Sequence, residues 1–387
     1  MSNYIRNIKI NYLFLVKDIN LTQGIWMLYL ASKGLSLFAI GTLEAVFHIM
    51  SFLMETPTGA AADLFGRKTS RILGRFLAVI SSLIIVTSNA YFGFAIGFAL
   101  AALSYNFESG AGEALIYDSL KAEGQEERFM SVIGRCEMGY HIASILGLLL
   151  GGILGNIAYQ LVYFVTIFFS MSALIIGFFF IEPPAGAHGP KRQRASILQS
   201  IRCQYADCFT LAKSTPRLLY LIFFVDMVLA GYTMAFYYIQ LNLERIGYTP
   251  FKIGIFLIVS SLAAIGGALA AEKTHLRLGE QKLINLSALA ISLSIAACAI
   301  TKFSILPMTV CSFVYAVLFV ASRDYINRLI PSDKRATLLS FESMVFSFCM
   351  IAMFPLFGLL GDAVSIPVSF IVFGLCLSVL SLIGARW

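Results

Sequence analysis

Residues 59–68 read Gly-Ala-Ala-Ala-Asp-Leu-Phe-Gly-Arg-Lys, preceded by Glu55-Thr56-Pro57-Thr58. Two glycines bracket one acid, and two adjacent cations close the stretch. On either side lie the apolar runs 37–60 and 72–88. Each has about the 20 mostly apolar residues that a helix needs to cross hydrocarbon. A short polar segment between two such runs is the loop of a membrane hairpin. Arg67, Lys68, Arg71 and Arg75 place that loop on the cytoplasmic side, where basic residues accumulate.

The same alternation continues in both directions. Apolar runs at 10–30, 37–60, 72–88, 91–115, 130–154 and 158–181 precede one long connection. Runs at 218–243, 253–271, 283–300, 305–325, 338–360 and 367–383 follow it. Of the 387 residues, 59% are apolar and 13% charged, against about a quarter charged in an average soluble domain. The first run is interrupted by Lys17, Asp18, Asn20 and Gln23, so it is expected to face a wet, protected interior and not lipid.

Loop charge supports an even number of crossings with both termini cytoplasmic. Lys121 and Arg128, then Lys191 to Arg217, then Lys273, Arg277 and Lys282, then Arg328, Lys334 and Arg335 fall on the side of Arg67. Only Lys33, Arg245, Lys252 and Lys302 fall opposite. The net charge of +7 therefore reads as topology and contact with anionic lipid. The charges are dispersed over several loops without an aromatic platform, which argues against nucleic acid. Seven cysteines lack a CxxC pair or a histidine partner, so neither a metal site nor a disulfide framework is expected. Arg6 and Lys9 are not followed by a small-residue cleavage site, and no removable leader is expected. The expected organisation is a six-helix bundle over 1–181, a cytoplasmic linker over 182–216 and a second bundle over 217–387. Apolar residues at Ile197, Ile201, Tyr205, Cys208 and Leu211 predict an amphipathic surface helix over 196–212 in the linker.

The halves repeat. Lys33-Gly34-Leu35-Ser36 after the first run matches Ile246-Gly247-Tyr248-Thr249 after the seventh. One shared offset pairs Arg128 with Arg335 and Gly151 with Gly358. The stretch at 59–68 resembles the loop signature of the major facilitator superfamily, with Leu64 standing where a basic residue is usual. Gly267, Glu272, Arg277 and Gly279 echo it in the equivalent loop of the second half. The resemblance implies an all-α membrane protein of twelve transmembrane helices in two pseudo-symmetric six-helix bundles. It implies a secondary transporter of a small molecule, expected as a monomer in a bacterial inner membrane. Enzyme motifs are missing and no cofactor is expected.

Within the signature, Gly59 is expected to permit close helix approach. Asp63 is expected to meet a neighbouring helix N-terminus and Arg67. With Gly66, Lys68 and, by the resemblance, Asp118 at the inner end of the fourth span, these residues form an expected conformational latch. Ionisable residues inside spans are functional candidates by default. Glu44 and His48 share a helix face, and Asp226 lies near the midplane. Counting inward from Asp118 and Arg128 puts Glu113 level with Arg135, predicting an ion pair. These five are the proton-coupling candidates. The glycines at 147, 151 and 155 resemble the fifth-span signature of drug:proton exporters, with Gly152 in place of its proline. The leading expectation is proton-coupled efflux of a small organic molecule. The alternatives are proton-coupled import or facilitated passage of a polar metabolite, or a non-transporting sensor.

Overall fold

The computed structural model describes residues 4–183, 216–300, 303–329 and 335–384, and these are helical with short connections. The surface helix expected over 196–212 lies outside the described residues. Helices α1 (Ile5–Phe14) and α2 (Trp26–Ser32) are followed by α3 (Leu37–Phe65), α4 (Arg67–Thr87), α5 (Tyr91–Glu108), α6 (Ala111–Lys121), α7 (Phe129–Gly155) and α8 (Tyr159–Phe178). The second half contains α9 (Pro216–Arg245), α10 (Pro250–Leu278), α11 (Glu280–Ala297), α12 (Ile305–Leu329), α13 (Arg335–Ala363) and α14 (Ile366–Gly384).

Among the described residues, nine helical stretches are long and apolar enough to cross a membrane. Their outward apolar side chains, such as Phe168, Leu262 and Leu269, would be an aggregation hazard in water and are at home in lipid. The other three expected crossings are those that polar residues interrupt. The first breaks into α1, two single 3₁₀ turns at Leu15–Asp18 and Leu21–Gly24, and α2. Asn20 causes part of this break: its side-chain oxygen accepts from the Thr22 amide at 3.0 Å and the Thr22 hydroxyl at 2.7 Å. Such local bonds replace the helical ladder. The fourth breaks at Ser109 and Gly110, where Gly110 takes φ +27°. The ninth, α11, opens on Glu280, Gln281 and Lys282 and is correspondingly less apolar.

The described residues cluster into two compact units. One draws on Met1–Ile25 and Ile49–Cys203, the other on Trp26–His48 and Gln204–Trp387. In the first, α4 packs on α5 and α8, and α7 packs on the 3₁₀ turns of the broken first span. Ile10, Phe14, Leu115, Ala173 and Phe180 form one of its apolar clusters. In the second, α10 packs on α12, α11 on α14, and α9 on both α13 and α2.

The sequence repeat carries a backbone repeat. Gly34 and Gly247 both end a helix at positive φ, +83° and +93°. The next amide bonds back five residues in each case, Leu35 to the Leu30 carbonyl and Tyr248 to Leu243, the closing bond of a Schellman cap. Ser36 and Thr249 then cap the following helices through the amides of Ala39 and Lys252. Gly66 and its echo Gly279 likewise share positive φ, +95° and +72°, at the N-caps of α4 and α11.

Candidate functional site

Arg67, Arg71 and Arg75 recur every fourth residue, so they form one stripe along α4. The middle one is the most enclosed cation among the described residues, with 2% of its surface exposed. Its Nε and Nη2 both donate to Glu108 Oε1, at 3.1 and 2.9 Å, and Nη1 donates to Asn11 Oδ1 at 2.8 Å. The guanidinium lies between the rings of Phe14 and Phe180, 4.3 and 4.7 Å from their centroids. Cation–π attraction strengthens when both partners are desolvated. Arg75 Nε stands 3.8 Å from the second carboxylate oxygen of Glu108. One acid on α5 therefore serves two cations on α4, and Asn11 fastens α1 to them. From the sequence, Arg71 counts only as a loop charge. The four-residue stripe was the signal for it, because a helical turn past Arg67 carries it about 6 Å deeper.

The broken first span joins this polar layer. Lys17 and Asp18 pair at 2.5 Å, both nearly enclosed, and Lys17 lies within electrostatic reach of Glu108. Asp18, Glu137 and Tyr105 are the ionisable neighbours of Tyr140. Ser144 donates to Gln23 Oε1 at 3.2 Å, and Asn106 and Ser51 exchange bonds at 2.7 and 2.8 Å. The glycines of α7 explain why the unwound segment fits. A Cβ added to Gly147 would stand 2.7 Å from the Asn20 carbonyl oxygen, and one at Gly151 2.3 Å from that of Leu21. Their spacing is therefore accounted for by packing against the first span.

The signature loop is partly as expected. Arg67 Nη1 meets Asp63 Oδ1 at 2.8 Å, while Arg67 Nε reaches Asp118 Oδ2 only at 4.0 Å. Burial raises the Asp118 carboxyl above its ordinary value despite Arg67 and Lys121, and nearby Asp63 adds to the rise. Asp118 is thus the weaker of the two partners of Arg67. The acid at the start of α4 is Glu182, not Asp63. Its two oxygens accept from the amides of Arg67 and Lys68 at 2.7 and 2.8 Å, while Lys68 Nζ donates to the Phe178 carbonyl. Two exposed amides at a helix start bind a carboxylate by geometry and dipole together. A Cβ on Gly66 would lie 2.7–2.9 Å from that carboxyl group. Gly59 differs from expectation, since a Cβ there would meet nothing within 4 Å.

These contacts rank the residues of the loop. Gly66→Ala should cost about 1–3 kcal/mol through strain at positive φ. Glu182→Ala should cost about 0.5–2 kcal/mol through loss of the cap. Asp63→Asn, at a half-exposed pair, should cost at most about 1 kcal/mol. Thermal unfolding of the detergent-purified variants checks the order, and Asp63→Asn ranking first would overturn it.

In the second unit, Glu44 and His48 come together as their spacing predicts, His48 Nε2 lying 3.6 Å from Glu44 Oε1. His48 Nδ1 also faces Ser347 Oγ at 3.4 Å. Asp226 on α9 is 2% exposed, and its Oδ2 has no hydrogen-bond partner among the described residues. Its charged neighbours are Glu342 on α13 and Arg323 on α12, which pair with each other at 3.6 Å. Asp362 accepts from the amides of Leu37 and Phe38 at 3.0 and 2.8 Å, capping α3. The Tyr238 hydroxyl reaches the Leu37 and Phe354 carbonyls at 3.1 and 2.9 Å.

Glu113 and Arg135 are not brought together. Both side chains are exposed, and neither has an ion-pair partner among the described residues. Counting from Asp118 along the unbroken α6 gives the depth of Glu113 but not the side of the helix it occupies, and that side faces outward.

Comparison with known proteins agrees with this architecture. The chain is 23% identical over 365 residues to the uncharacterized MFS-type transporter YxaM of Bacillus subtilis (strain 168), covering 90% of this chain and 87% of that one. It is 28% identical over 150 residues to an uncharacterized transporter of Buchnera aphidicola subsp. Schizaphis graminum (strain Sg). That match covers 38% of this chain and only 37% of the length of that protein. Among solved structures, the nucleoside transporter NupG superposes with a TM-score of 0.79 at 13% identity, covering 100% of this chain and 99% of that one. A D-xylose-proton symporter gives 0.73 at 13% identity, covering 99% and 97%. Such identities establish a shared fold. The Major Facilitator Superfamily family model matches residues 13–348, so with the signature at 59–68 and the repeated caps, this all-helical, multi-pass membrane chain belongs to the major facilitator superfamily.

Proposed function

We propose that the protein takes up a small, neutral, hydroxyl-bearing metabolite by alternating access, coupled to protons. The observation that carries this reading is the polar layer around the broken first span. It contains three cations, Lys17, Arg71 and Arg75, and three anions, Asp18, Glu108 and Glu137. Balanced charge favours a neutral solute, since a charged one would leave an uncompensated charge in a poorly solvated site. Amides at Asn11, Asn106 and Gln23 and hydroxyls at Ser51, Ser144 and Tyr140 supply donors and acceptors for hydroxyl groups. Tyr105 and Tyr140 remain exposed enough to offer an aromatic face.

Two fold relatives are described as a nucleoside transporter and a D-xylose-proton symporter, which supports import over efflux. The glycine stripe of α7 loses its weight as an exporter feature once it packs the first span. The loop charges favour both termini inside, and the membrane is read as a bacterial inner membrane. The Asp63, Arg67 and Asp118 contacts, with Glu182 capping α4, are read as the latch of the first half.

Uptake of radiolabelled neutral sugars and nucleosides into cells overproducing the protein tests the reading. At least one such solute should accumulate, and dissipating the proton gradient should abolish the accumulation. Asp18→Asn and Gln23→Ala should each lower uptake about 10-fold or more, the effect of losing a hydrogen bond to a charged or buried group. Depletion of a preloaded solute in place of accumulation would establish efflux.

A further inference from the structure

Among the described residues Asp226 is the most enclosed acid, and its contacts leave its role open. It sits on α9, ten residues beyond Pro216, which is about 15 Å along the helix. Its exposure is 2%, and Oδ2 has no hydrogen-bond partner among the described residues. An ionised carboxylate placed in this way would suffer the full cost of desolvation. A protonated one would not. Glu342 on α13 is 6% exposed and pairs with Arg323 Nε on α12 at 3.6 Å. Arg323 therefore pairs with one enclosed acid and is an electrostatic neighbour of the other. The Arg323 side chain is 47% exposed and rests on the Phe319 ring, 4.7 Å from its centroid, so it has room to change partners.

The remaining charged and titratable groups nearby are otherwise engaged. On α12, Asp324 pairs with Arg328, which also reaches Glu280 of α11 at 3.5 Å. On α13, Cys349 is an electrostatic neighbour of Asp226, and on α3 His48 is held by Glu44 and Ser347. Tyr220 lies on α9 itself and stacks on Phe224.

We propose that Asp226 and Glu342 hold one proton between them and that Arg323 decides which acid carries it. In the arrangement described here Arg323 neutralises ionised Glu342, and Asp226 is the protonated acid. When the guanidinium moves to Asp226, the O–H bond of Asp226 breaks and its proton passes to the Glu342 carboxylate, directly or through one water. Asp226 is then the paired carboxylate, and Glu342, closer to the start of α13, is the acid that releases the proton to water. The first two states contain one cation, one carboxylate and one carboxylic acid, so neither leaves an unpaired charge in the membrane. Coupled acids of this kind titrate as a pair. The inference rests on the proton-coupled reading for its use in transport, but not for the location of the proton.

Carbodiimide labelling of the purified full-length protein tests it without any solute, because dicyclohexylcarbodiimide modifies protonated carboxyl groups in apolar surroundings. The modified peptide is then identified by mass spectrometry across a pH series. In the unaltered protein, label is expected on Asp226 near neutral pH and not on exposed Asp63. Glu342→Gln frees Arg323 for Asp226 and should move the pH at which labelling of Asp226 is half lost downward by about one unit or more. Arg323→Gln should leave both acids labelled. The idea is overturned if Asp226 resists label throughout the series, a result that needs no variant to fold. It is also overturned if labelling of Asp226 in a monodisperse Glu342→Gln protein is unchanged. Expected labelling together with solute uptake that ignores the proton gradient would retain the shared proton and refute the coupling reading.

Discussion

Replacing Arg71 with alanine is expected to destabilise the protein by about 3–5 kcal/mol, the effect of removing one partner from a buried ion pair. Three losses combine. Glu108 Oε1 loses both of its short bonds from the guanidinium, leaving a nearly enclosed carboxylate with Arg75 at 3.8 Å as its remaining cation. Asn11 Oδ1, on a residue 3% exposed, loses its donor. The rings of Phe14 and Phe180 lose the planar group between them, which opens a gap in the cluster that joins α1, α6 and α8. Lysine should rescue little, because a point charge cannot bond to Glu108 and Asn11 while stacking on two rings. Arg71→Ala combined with Glu108→Gln should recover part of the loss, since the neutral amide is cheaper to leave enclosed. The measurement is thermal unfolding in detergent, in a double-mutant cycle. Equal melting temperatures for Arg71→Ala and the unaltered protein would show that the layer is solvated and adds no stability.

The second large effect is expected at Gly151. Even alanine there places its Cβ 2.3 Å from the Leu21 carbonyl oxygen, with backbone carbon behind it at 3.2 Å, so no side-chain rotation relieves the overlap. The first span must move away from α7. Overpacking of this kind costs about 1–3 kcal/mol. The displacement also carries Lys17, Asp18 and Gln23 away from Ser144 and Tyr140. Uptake should therefore fall more than stability does. Gly134, on the same helix, supplies the control, because a Cβ there meets nothing within 4 Å. Gly134→Ala should leave uptake intact and stabilise the helix slightly, by up to about 1 kcal/mol. If Gly151→Ala transports like Gly134→Ala, the close approach of the first span to α7 has no part in function.

Much of the chain was legible without coordinates because lipid imposes strict rules. Segments without water must satisfy their own backbone bonds, so apolar runs of sufficient length become helices, and loop cations fix sides. The repeat was legible too: Gly34 and Gly247, like Gly66 and Gly279, occupy backbone conformations that disfavour any Cβ, so the residue type reports the geometry directly. The pairing of Glu44 with His48 followed from helical spacing, which is a local property. Interruptions were legible as composition, since Lys17, Asp18 and Asn20 announce a weak span, but not as the two 3₁₀ turns they become.

Partnerships between distant segments were decided only by the tertiary structure. Arg71 finds Glu108 and Asn11, Glu182 caps α4 in place of Asp63, and Asp362 caps α3 across 325 residues of sequence. Glu113 and Arg135 failed to meet because equal depth does not fix the side of each helix, and both side chains point outward. The reason is common to all four. Hydropathy and helical period determine how deep a residue lies and which neighbours share its face. The azimuth of each helix about its own axis, which selects partners on other helices, is set by the packing of every element at once.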